Sequence, residues 1–384
     1  MLNSLAERSK AMTKFHRLLR AIVIATAYLT TRVDAQTIPF DSDRWEIQAK
    51  ESKVETYLGR RSLYLRDGFA IVRDANFENG IIEFDVAFSA DRGFTGVLWR
   101  VQNLENYEEF YVRPHQSGNP DANQYQPVFN DLSAWQLYYG EDYSTAVKYD
   151  FNRWVHIRIV VSGKNAETYI QDMQSPALFI TELKRETKPG KVGLKVSSFA
   201  PAYFSNFSFD EKSTPALKGK GRKVEAPPAG TVMSWMVSGV IEGRSLQQKY
   251  QLTQADKQKL SWTRLAAESS GLANLARLNG IKDSANTVFA RLTIRSDRDQ
   301  IKKIAFGFSD AVKVFFNDRL IYGGSDVYQS RDYRFLGTIG LFDEVYLPMK
   351  KGENELWFAV TENFGGWGIR ASFEDTEGIE IKEY

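Results

Sequence analysis

The chain contains no cysteine and only three histidines among its 384 residues. Without thiols it has no disulfide, no cysteine-ligated metal, no thiol nucleophile and no lipid-modified cysteine. Beyond the first 35 residues only His115 and His156 remain, so a zinc site would need carboxylates for its other ligands. An exported eukaryotic protein of this size usually carries disulfides, so the composition favours a bacterial exported protein.

The sequence also lacks the motifs of nucleotide binding and of serine hydrolases. There is no Walker A sequence, no G-x-S-x-G elbow and no G-x-G-x-x-G between a strand and a helix. The glycines of "GGWG" (365–368) precede a strand pattern rather than a helix, so no helix N-terminus is there to receive a phosphate. Residues 36–384 carry a net charge of −2, with His taken as neutral, which excludes an overall basic field for nucleic acid.

The first 35 residues have the pattern of a secretory signal peptide. A basic stretch precedes the short apolar run "AIVIATAYLTT" (21–31), and Val33 and Ala35 stand where a signal peptidase requires small residues. The alternative is a membrane anchor, but this run is well short of the roughly 20 residues that span a bilayer. We expect cleavage after Ala35, a secreted or periplasmic location, and no membrane span in the mature chain.

The remaining sequence predicts an all-β fold of two β-sandwich (jelly-roll) domains. Aromatic residues make up 13% of the chain, and period-2 runs such as "GIIEFDVAF" (80–88) recur at short spacing. We expect one sandwich over 36–210, a Lys/Gly/Pro-rich linker over 211–230 and a second sandwich over 231–384. Within the second, "TQADKQKL" predicts a short helix with Thr253 as its N-cap, and "WTRLAAE" fits a strand.

The stretch 96–140 concentrates side chains that suit sugar recognition. Tyr111, Arg113 and His115 alternate, so they project from one side of a strand, and a loop rich in Gly, Asn, Pro and Gln follows them. Aromatic rings can stack on the C–H faces of a pyranose while planar polar groups bond adjacent hydroxyls. The alternative is that these rings are core and that Arg113 pairs with a carboxylate. The candidate ligand-binding residues are Arg100, Tyr111, Arg113, His115, Tyr125, Trp135, Tyr138 and Trp367.

Glu83 and Asp85 are the candidate catalytic residues, because two carboxylates at i and i+2 of a strand face the same side. The alternative is that they form the polar side of a sandwich strand, and this alternative is favoured. The loop acids Asp121 and Asp131 could serve an enzyme too. No cofactor is predicted, although carboxylates and carbonyls could hold Ca²⁺.

The C-terminal segment predicts two strands of one core joined by a glycine-rich turn. Leu356, Phe358 and Val360 share one side of the first strand, and Ile369, Ala371 and Phe373 share one side of the next. Trp367 lies in the turn, where it either packs onto the sandwich or stands out as a platform for a ligand.

Residues 45–210 contain four characteristic strand-length segments in order, "ENGIIEFDVAF", "GVLWRVQNLENYEEFYVRPH", "FNRWVHIRIVVSGKNAETYIQD" and "GKVGLKVSS". This strand pattern resembles concanavalin A-like lectins and glucanases, in particular the laminin-G-like domains of the 3-keto-disaccharide hydrolase type. Glucanases of this fold have a motif resembling E-x-D-x-x-E. Here Glu83 and Asp85 are followed by Val86, Ala87 and Phe88, so the third acid is missing.

The second half contains the segments "VKVFFNDRLIYGG", with a turn at Asn317–Asp318, and "VYLPMKKGENELWFAV". These segments resemble the galactose-binding-like jelly roll, as in the sugar-binding domain of glycoside hydrolase family 2. Together with the predicted signal peptide, the two resemblances lead us to expect an exported, non-catalytic bacterial protein that binds a glycan on the concave face of the first sandwich. The alternatives are a glycoside hydrolase or lyase and a module that binds a cell-surface protein.

Overall fold

Antiparallel β-strands form nearly all the regular structure of the computed structural model, which describes residues 36–211, 214–330, 332 and 334–382. The predicted signal peptide lies outside the described residues. The all-β prediction is confirmed. No helix in the described part of the chain is long and apolar enough to cross a membrane.

The first half folds into one curled sheet of twelve strands around a large hydrophobic core, and a smaller buried cluster includes Leu98 and Tyr107. Successive side chains of a strand point to opposite sides of the sheet, which explains how the sheet buries its inner side. In the strand Gly80–Ala87 (β3), Ile82, Phe84 and Val86 are buried in the core, whereas Glu83 between them faces outward. The sheet order is β10-β9-β8-β3-β12-β2-β11-β4-β5-β6-β7, with β1 also paired to β2. The strands are β1 Trp45–Tyr57, β2 Arg60–Phe77, β3 Gly80–Ala87, β4 Thr95–Asn103, β5 Asn106–Val112, β6 Asn123–Phe129, β7 Leu132–Ser133, β8 Val155–Ser162, β9 Asn165–Ile170, β10 Leu178–Ile180, β11 Gly190–Val196 and β12 Ala202–Asp210.

The second half packs an eight-stranded sheet against a four-stranded one. Their orders are β15-β13-β17-β22-β19-β20, with β14 and β24 on β17, and β16-β23-β18-β21. The strands are β13 Ser234–Ser238, β14 Ile241–Glu242, β15 Trp262–Ala266, β16 Ala273–Asn274, β17 Ala285–Ser296, β18 Gln300–Ser309, β19 Ala311–Phe316, β20 Arg319–Ser325, β21 Asp343–Met349, β22 Gly352–Thr361, β23 Gly368–Phe373 and β24 Ile379–Ile381. Short 3-10 helices lie at Pro114–Gln116, Gly243–Leu246 and Leu275–Arg277.

The core of the second sandwich confirms the prediction for the two C-terminal strands. Leu356, Phe358 and Val360 of β22 and the apolar side of β23 lie in one buried cluster. Trp357 points to the other side of its sheet, where it is buried beside Trp262. The segment that covers this side includes the helix α1 Gln254–Gln258, which Thr253 caps as predicted.

The two sandwiches share an extensive interface, and the residues from Thr37 onward form one compact unit. Phe129, at the end of β6, is buried in the core of the second sandwich. Asn130 follows it and donates a hydrogen bond to the carbonyl of Ala276 (2.8 Å). The residues predicted as a linker also make specific contacts, since the Gly219 N–H donates to the carboxylate of Glu167.

The turn between β22 and β23 packs directly against the first sandwich. A Cβ on Gly365 would lie 2.0 Å from Oε1 of Gln136, and one on Gly366 would lie 2.9 Å from Cγ of Leu137. Both glycines have positive φ, of 108° and 138°. Glycine is therefore required here by backbone conformation and by the close approach of residues 134–137.

Candidate functional site

A pocket of about 440 Å³ opens on the side of β4, β5, β6 and β11 that faces away from the first core. Alternation along the strands places its polar residues. Phe110 and Val112 of β5 point into the core, whereas Glu109 and Tyr111 line the pocket. The polar residues of the lining are Arg92, Glu109, Tyr111, Arg113, His115, Gln116, Asp121, Gln124, Gln126, Ser133, Ser144, Lys195, Ser197 and Thr338.

An ion pair between Lys195 and Glu109 occupies part of the pocket floor. Lys195 of β11 donates to Oε2 of Glu109 at 3.1 Å, and the amide of Gln126 donates to the same oxygen at 2.8 Å. β4 separates β11 from β5, and its residue opposite both Lys195 and Tyr111 is Gly96. Because Gly96 has no side chain, Lys195 can reach across β4 to the carboxylate.

Arg113 is held by a buried network on the same floor. Its guanidinium donates to the Tyr111 hydroxyl (2.7 Å), to the Gln124 side-chain carbonyl and to the backbone carbonyl of Asp121 (2.9 Å). The amide of Gln124 in turn donates to the carbonyl of Trp135 at 2.9 Å. Burial raises the pKa of Tyr111 to about 12, so its phenol is neutral at ordinary pH. The network fixes the planar group of Arg113 in one orientation.

Two buried polar atoms of the lining residues have no hydrogen-bond partner: Oε1 of Gln126 and Nδ1 of His115. Gln126 is only 4% exposed, so its unpaired carbonyl is costly unless something in the pocket donates to it. Burial, followed by the charges of Arg92 and Arg113, lowers the pKa of His115, so its ring is neutral near pH 7. These two atoms of the lining residues are left without a protein partner.

Phe94 and Phe199 form one aromatic wall of the pocket. Their ring centroids are 5.7 Å apart, and Phe94 also contacts Tyr111 (6.0 Å) and His115 (5.4 Å). The guanidinium of Arg92 lies over the ring of Phe199. This wall belongs wholly to the first sandwich.

The second wall contains rings from both sandwiches. Trp135 lies 5.9 Å from Tyr328 and 5.8 Å from Phe364, and those two rings are 6.3 Å apart. Tyr328 belongs to the loop between β20 and β21, and Phe364 to the turn between β22 and β23. The second sandwich therefore completes the pocket of the first.

Four of the eight predicted ligand-binding residues lie together in this pocket: Tyr111, Arg113, His115 and Trp135. The loop acid Asp121 lines it as well. Arg100, Tyr125, Tyr138 and Trp367 do not line it, and all four are buried elsewhere. For these four, the structure corrects the expected position.

Arg100 and Tyr125 point inward for reasons of strand geometry. The β4–β5 register shifts after Trp99 and Arg100 has a φ of 49°, so this bulge breaks the alternation that would turn Arg100 outward. Its guanidinium instead donates to the carbonyls of Glu78 and Gly163 (2.8 and 2.6 Å). Tyr125 alternates with the two glutamines of β6 that face the pocket, so its ring lies in the core.

Tyr138 and Trp367 are held at or near the interface between the sandwiches. The Tyr138 hydroxyl donates to the carboxylate of Glu268, across the interface. Of the two alternatives for Trp367, the structure shows the packed one: the ring is buried and its N–H donates to the Val360 carbonyl at 3.1 Å. The exposed ring of this turn is that of Phe364.

Glu83 and Asp85 lie outside the pocket, in an ion-pair network with His156. The His156 ring lies 2.8 Å from Oδ1 of Asp85 and 3.5 Å from Oε1 of Glu83. Hydrogen bonds to these carboxylates raise the pKa of His156 to about 9. Arg60 binds Asp85 at 2.6 Å. Asp131, the other candidate acid, is exposed in the β6–β7 turn.

Sequence reasoning missed Glu109, Gln126 and Lys195, although a signal for them was present. Glu109 shares the period-2 side of Tyr111 and Arg113, so alternation alone places it with them. Tyr328 and Phe364 had no such signal, because they reach the pocket only through the packing of the sandwiches. Among the described residues, no group of three or more His, Asp or Glu side chains could hold a metal ion.

The first sandwich is similar to a known protein family. Residues 41–210 match the model of the 3-keto-alpha-glucoside-1,2-lyase-like domain, which confirms the predicted resemblance. This range includes every pocket residue from Arg92 to Phe199, whereas Tyr328 and Phe364 lie outside it. A comparison with curated proteins found no match.

Several solved structures of carbohydrate-active proteins are similar to less than half of the chain. The carbohydrate-binding module CBM66 from Bacillus subtilis is 15% identical over 44% of this chain and 95% of its own, with a TM-score of 0.35. A putative glycosyl hydrolase from Parabacteroides distasonis is 14% identical over 44% of this chain and 89% of its own, with a TM-score of 0.32. A β-glucanase from Bacillus licheniformis is 10% identical over 47% and 98%, with a TM-score of 0.34.

Proposed function

We propose that the chain binds a carbohydrate in the pocket on the first sandwich. This proposal rests on one observation: exposed aromatic rings surround a pocket floor of polar side chains that are held in place by hydrogen bonds, and some acceptor atoms of this floor have no protein partner. Rings such as Phe199 offer flat apolar surface, while Arg113 and the Gln126 carbonyl offer directional hydrogen bonds. The volume of about 440 Å³ falls in the range of small-molecule sites.

Two of the three cations in the pocket lining are already bonded within the protein. Lys195 is neutralised by Glu109, and the guanidinium of Arg113 is already bonded to three protein oxygens. The lining holds three cations (Arg92, Arg113 and Lys195) and two carboxylates (Glu109 and Asp121), a formal net charge of +1. A ligand of many hydroxyls can bind such a lining through directional hydrogen bonds.

A glycan array on the full chain without residues 1–35 tests this proposal. We expect binding to a defined set of glycans, lost in Arg113→Ala and retained in Glu83→Gln, which changes a carboxylate outside the pocket. Failure of every glycan to bind, or binding unaffected by Arg113→Ala, contradicts the proposal. Repeating the array with EDTA tests whether Ca²⁺ contributes.

A second candidate function is elimination on a 3-keto-glucoside, which the family match and the neutral ring of His115 favour. The C3 carbonyl makes the proton on C2 acidic. If His115 accepted that proton, the C–H electrons would form a C1=C2 bond and the C1–O bond would break toward the leaving oxygen, which takes up a proton. Lys195 would stabilise the developing charge on the carbonyl oxygen.

The enone product absorbs in the ultraviolet, so incubation with methyl 3-keto-α-glucoside tests this candidate directly. We expect absorbance to grow with the wild type and not with His115→Gln. No turnover by the wild type, together with binding on the array, leaves carbohydrate binding without catalysis as the function. Export is part of the proposal, and N-terminal sequencing of the protein recovered outside the cytoplasm tests cleavage after Ala35.

A further inference from the structure

The pocket has two separate aromatic walls, and only one belongs to the sandwich that matches a known family. In the described residues, the ring contacts of Phe94 and Phe199 involve the first sandwich alone, whereas Trp135 contacts Tyr328 and Phe364 of the second. Each wall carries one strongly exposed phenylalanine, Phe199 at 54% and Phe364 at 56%. Large exposed rings at a pocket rim indicate a surface that a ligand covers.

The second wall is held rigidly by contacts that cross the interface. Gln136 is fully buried and donates through its backbone N–H to the carbonyl of Gly365 (2.9 Å). Its side-chain amide donates to the carbonyl of Leu336 at 2.8 Å, which ties down the loop that carries Tyr328. Rings that are fixed before binding lose little conformational entropy when a ligand stacks on them.

The turn that carries Phe364 is fixed from its own sandwich as well. Oδ2 of Asp310 accepts hydrogen bonds from the N–H groups of Asn363 and Phe364, at 2.8 and 2.9 Å. Glu362 accepts one from the Gly366 N–H at 3.0 Å. The exposure of Phe364 is thus imposed by the hydrogen bonds of its turn.

We propose that Trp135, Tyr328 and Phe364 form a second sugar subsite, so that the pocket binds at least a disaccharide across the two sandwiches. This inference rests on the proposed function. One sugar ring lies on the polar floor beside Phe94 and Phe199, and the next stacks on the wall at the interface. The second sandwich then determines the length of glycan that is recognised.

Isothermal titration with methyl α-D-glucopyranoside, maltose and trehalose tests the subsite, with Phe364→Ala and its matched control Phe199→Ala. We expect Phe364→Ala to weaken binding of at least one disaccharide about tenfold, as expected for loss of one stacked ring, and to leave the monosaccharide within about twofold. Phe199→Ala should weaken the monosaccharide and the disaccharides alike. Phe364→Tyr should restore disaccharide binding.

The outcomes separate the inference from the proposed function. If Phe364→Ala leaves all three affinities unchanged, or weakens all three equally, the second subsite is overturned while carbohydrate binding stands. If these three sugars do not bind but other glycans bind on the array, the subsite for an α-glucoside is overturned, and the proposed carbohydrate binding stands. If no glycan binds in either assay, the proposed function is overturned and the subsite with it.

Discussion

Gly365→Ala should destabilise the protein through the interface rather than through its turn alone. Gly365 has a φ of 108°, and an added Cβ would lie 2.0 Å from Oε1 of Gln136. Gly352 has a similar φ of 100° and nothing within 4 Å of the position its Cβ would take. Gly352→Ala is therefore a matched control that introduces the same backbone strain without the contact.

The expected difference follows from the bonds that Gln136 makes. Positive-φ strain costs about 1–3 kcal/mol in either variant. In Gly365→Ala the Gln136 side chain must also move, which breaks its bonds with the Leu336 carbonyl and the Ser309 hydroxyl. Leaving such buried groups unpaired costs about 1–3 kcal/mol each, so for two bonds the free energy of unfolding should fall about 2–6 kcal/mol further than in Gly352→Ala.

Urea unfolding of the two variants and the wild type, followed by tryptophan fluorescence, measures this difference. Equal losses in Gly365→Ala and Gly352→Ala would refute the reasoning. A double-mutant cycle with Gln136→Ala sharpens the result, because removal of the glutamine side chain relieves the contact. The cost of Gly365→Ala should then fall toward that of Gly352→Ala.

Two further predictions concern buried carboxylates. Burial and the Asp310 charge raise the pKa of Glu362 to about 8, so between the unfolded value of 4.5 and about 8 the folded chain retains a proton that the unfolded chain releases. The stabilisation that this retained proton provides is complete below pH 4.5, and it is lost at about 1 kcal/mol per pH unit as the pH rises toward 8. Glu362→Gln has no such proton to lose, so its free energy of unfolding, measured in urea, should increase relative to that of the wild type from pH 5 to pH 8. If the difference in free energy of unfolding between Glu362→Gln and the wild type is the same at pH 5 and pH 8, this prediction is wrong. Asp85→Asn should lower stability by about 1–3 kcal/mol and lower the pKa of His156 from about 9 in an NMR titration. It should leave glycan binding unchanged, as should the exposed control Asp131→Asn, and a loss of binding in Asp85→Asn alone would place Asp85 in the site.

Part of the site on the first sandwich could be predicted from the sequence, because the alternation of side chains along a strand is a local property. Tyr111 lies on the outward side of β5 as alternation predicts, and the structure brings it to the pocket together with Arg113 and His115. The prediction of one strand for all three was wrong, because β5 ends at Val112 and His115 lies in the 3-10 helix Pro114–Gln116. The same rule failed at Arg100, where a bulge shifts the register of β4. A bulge depends on pairing with distant strands, so the local pattern does not reveal it.

The sequence by itself determined the all-β fold, the core sides of β22 and β23, and the cap of α1, since each follows from period, turn residues or capping within a few residues. Only the tertiary structure decided that Phe364 faces the pocket while Trp367 is buried. The glycines between β22 and β23 allow many backbone conformations, and the approach of Gln136 selects one of them. The candidate site spans two sandwiches because contacts between residues more than 200 positions apart, such as Gln136 and Gly365, are set by packing and leave no local trace in the sequence.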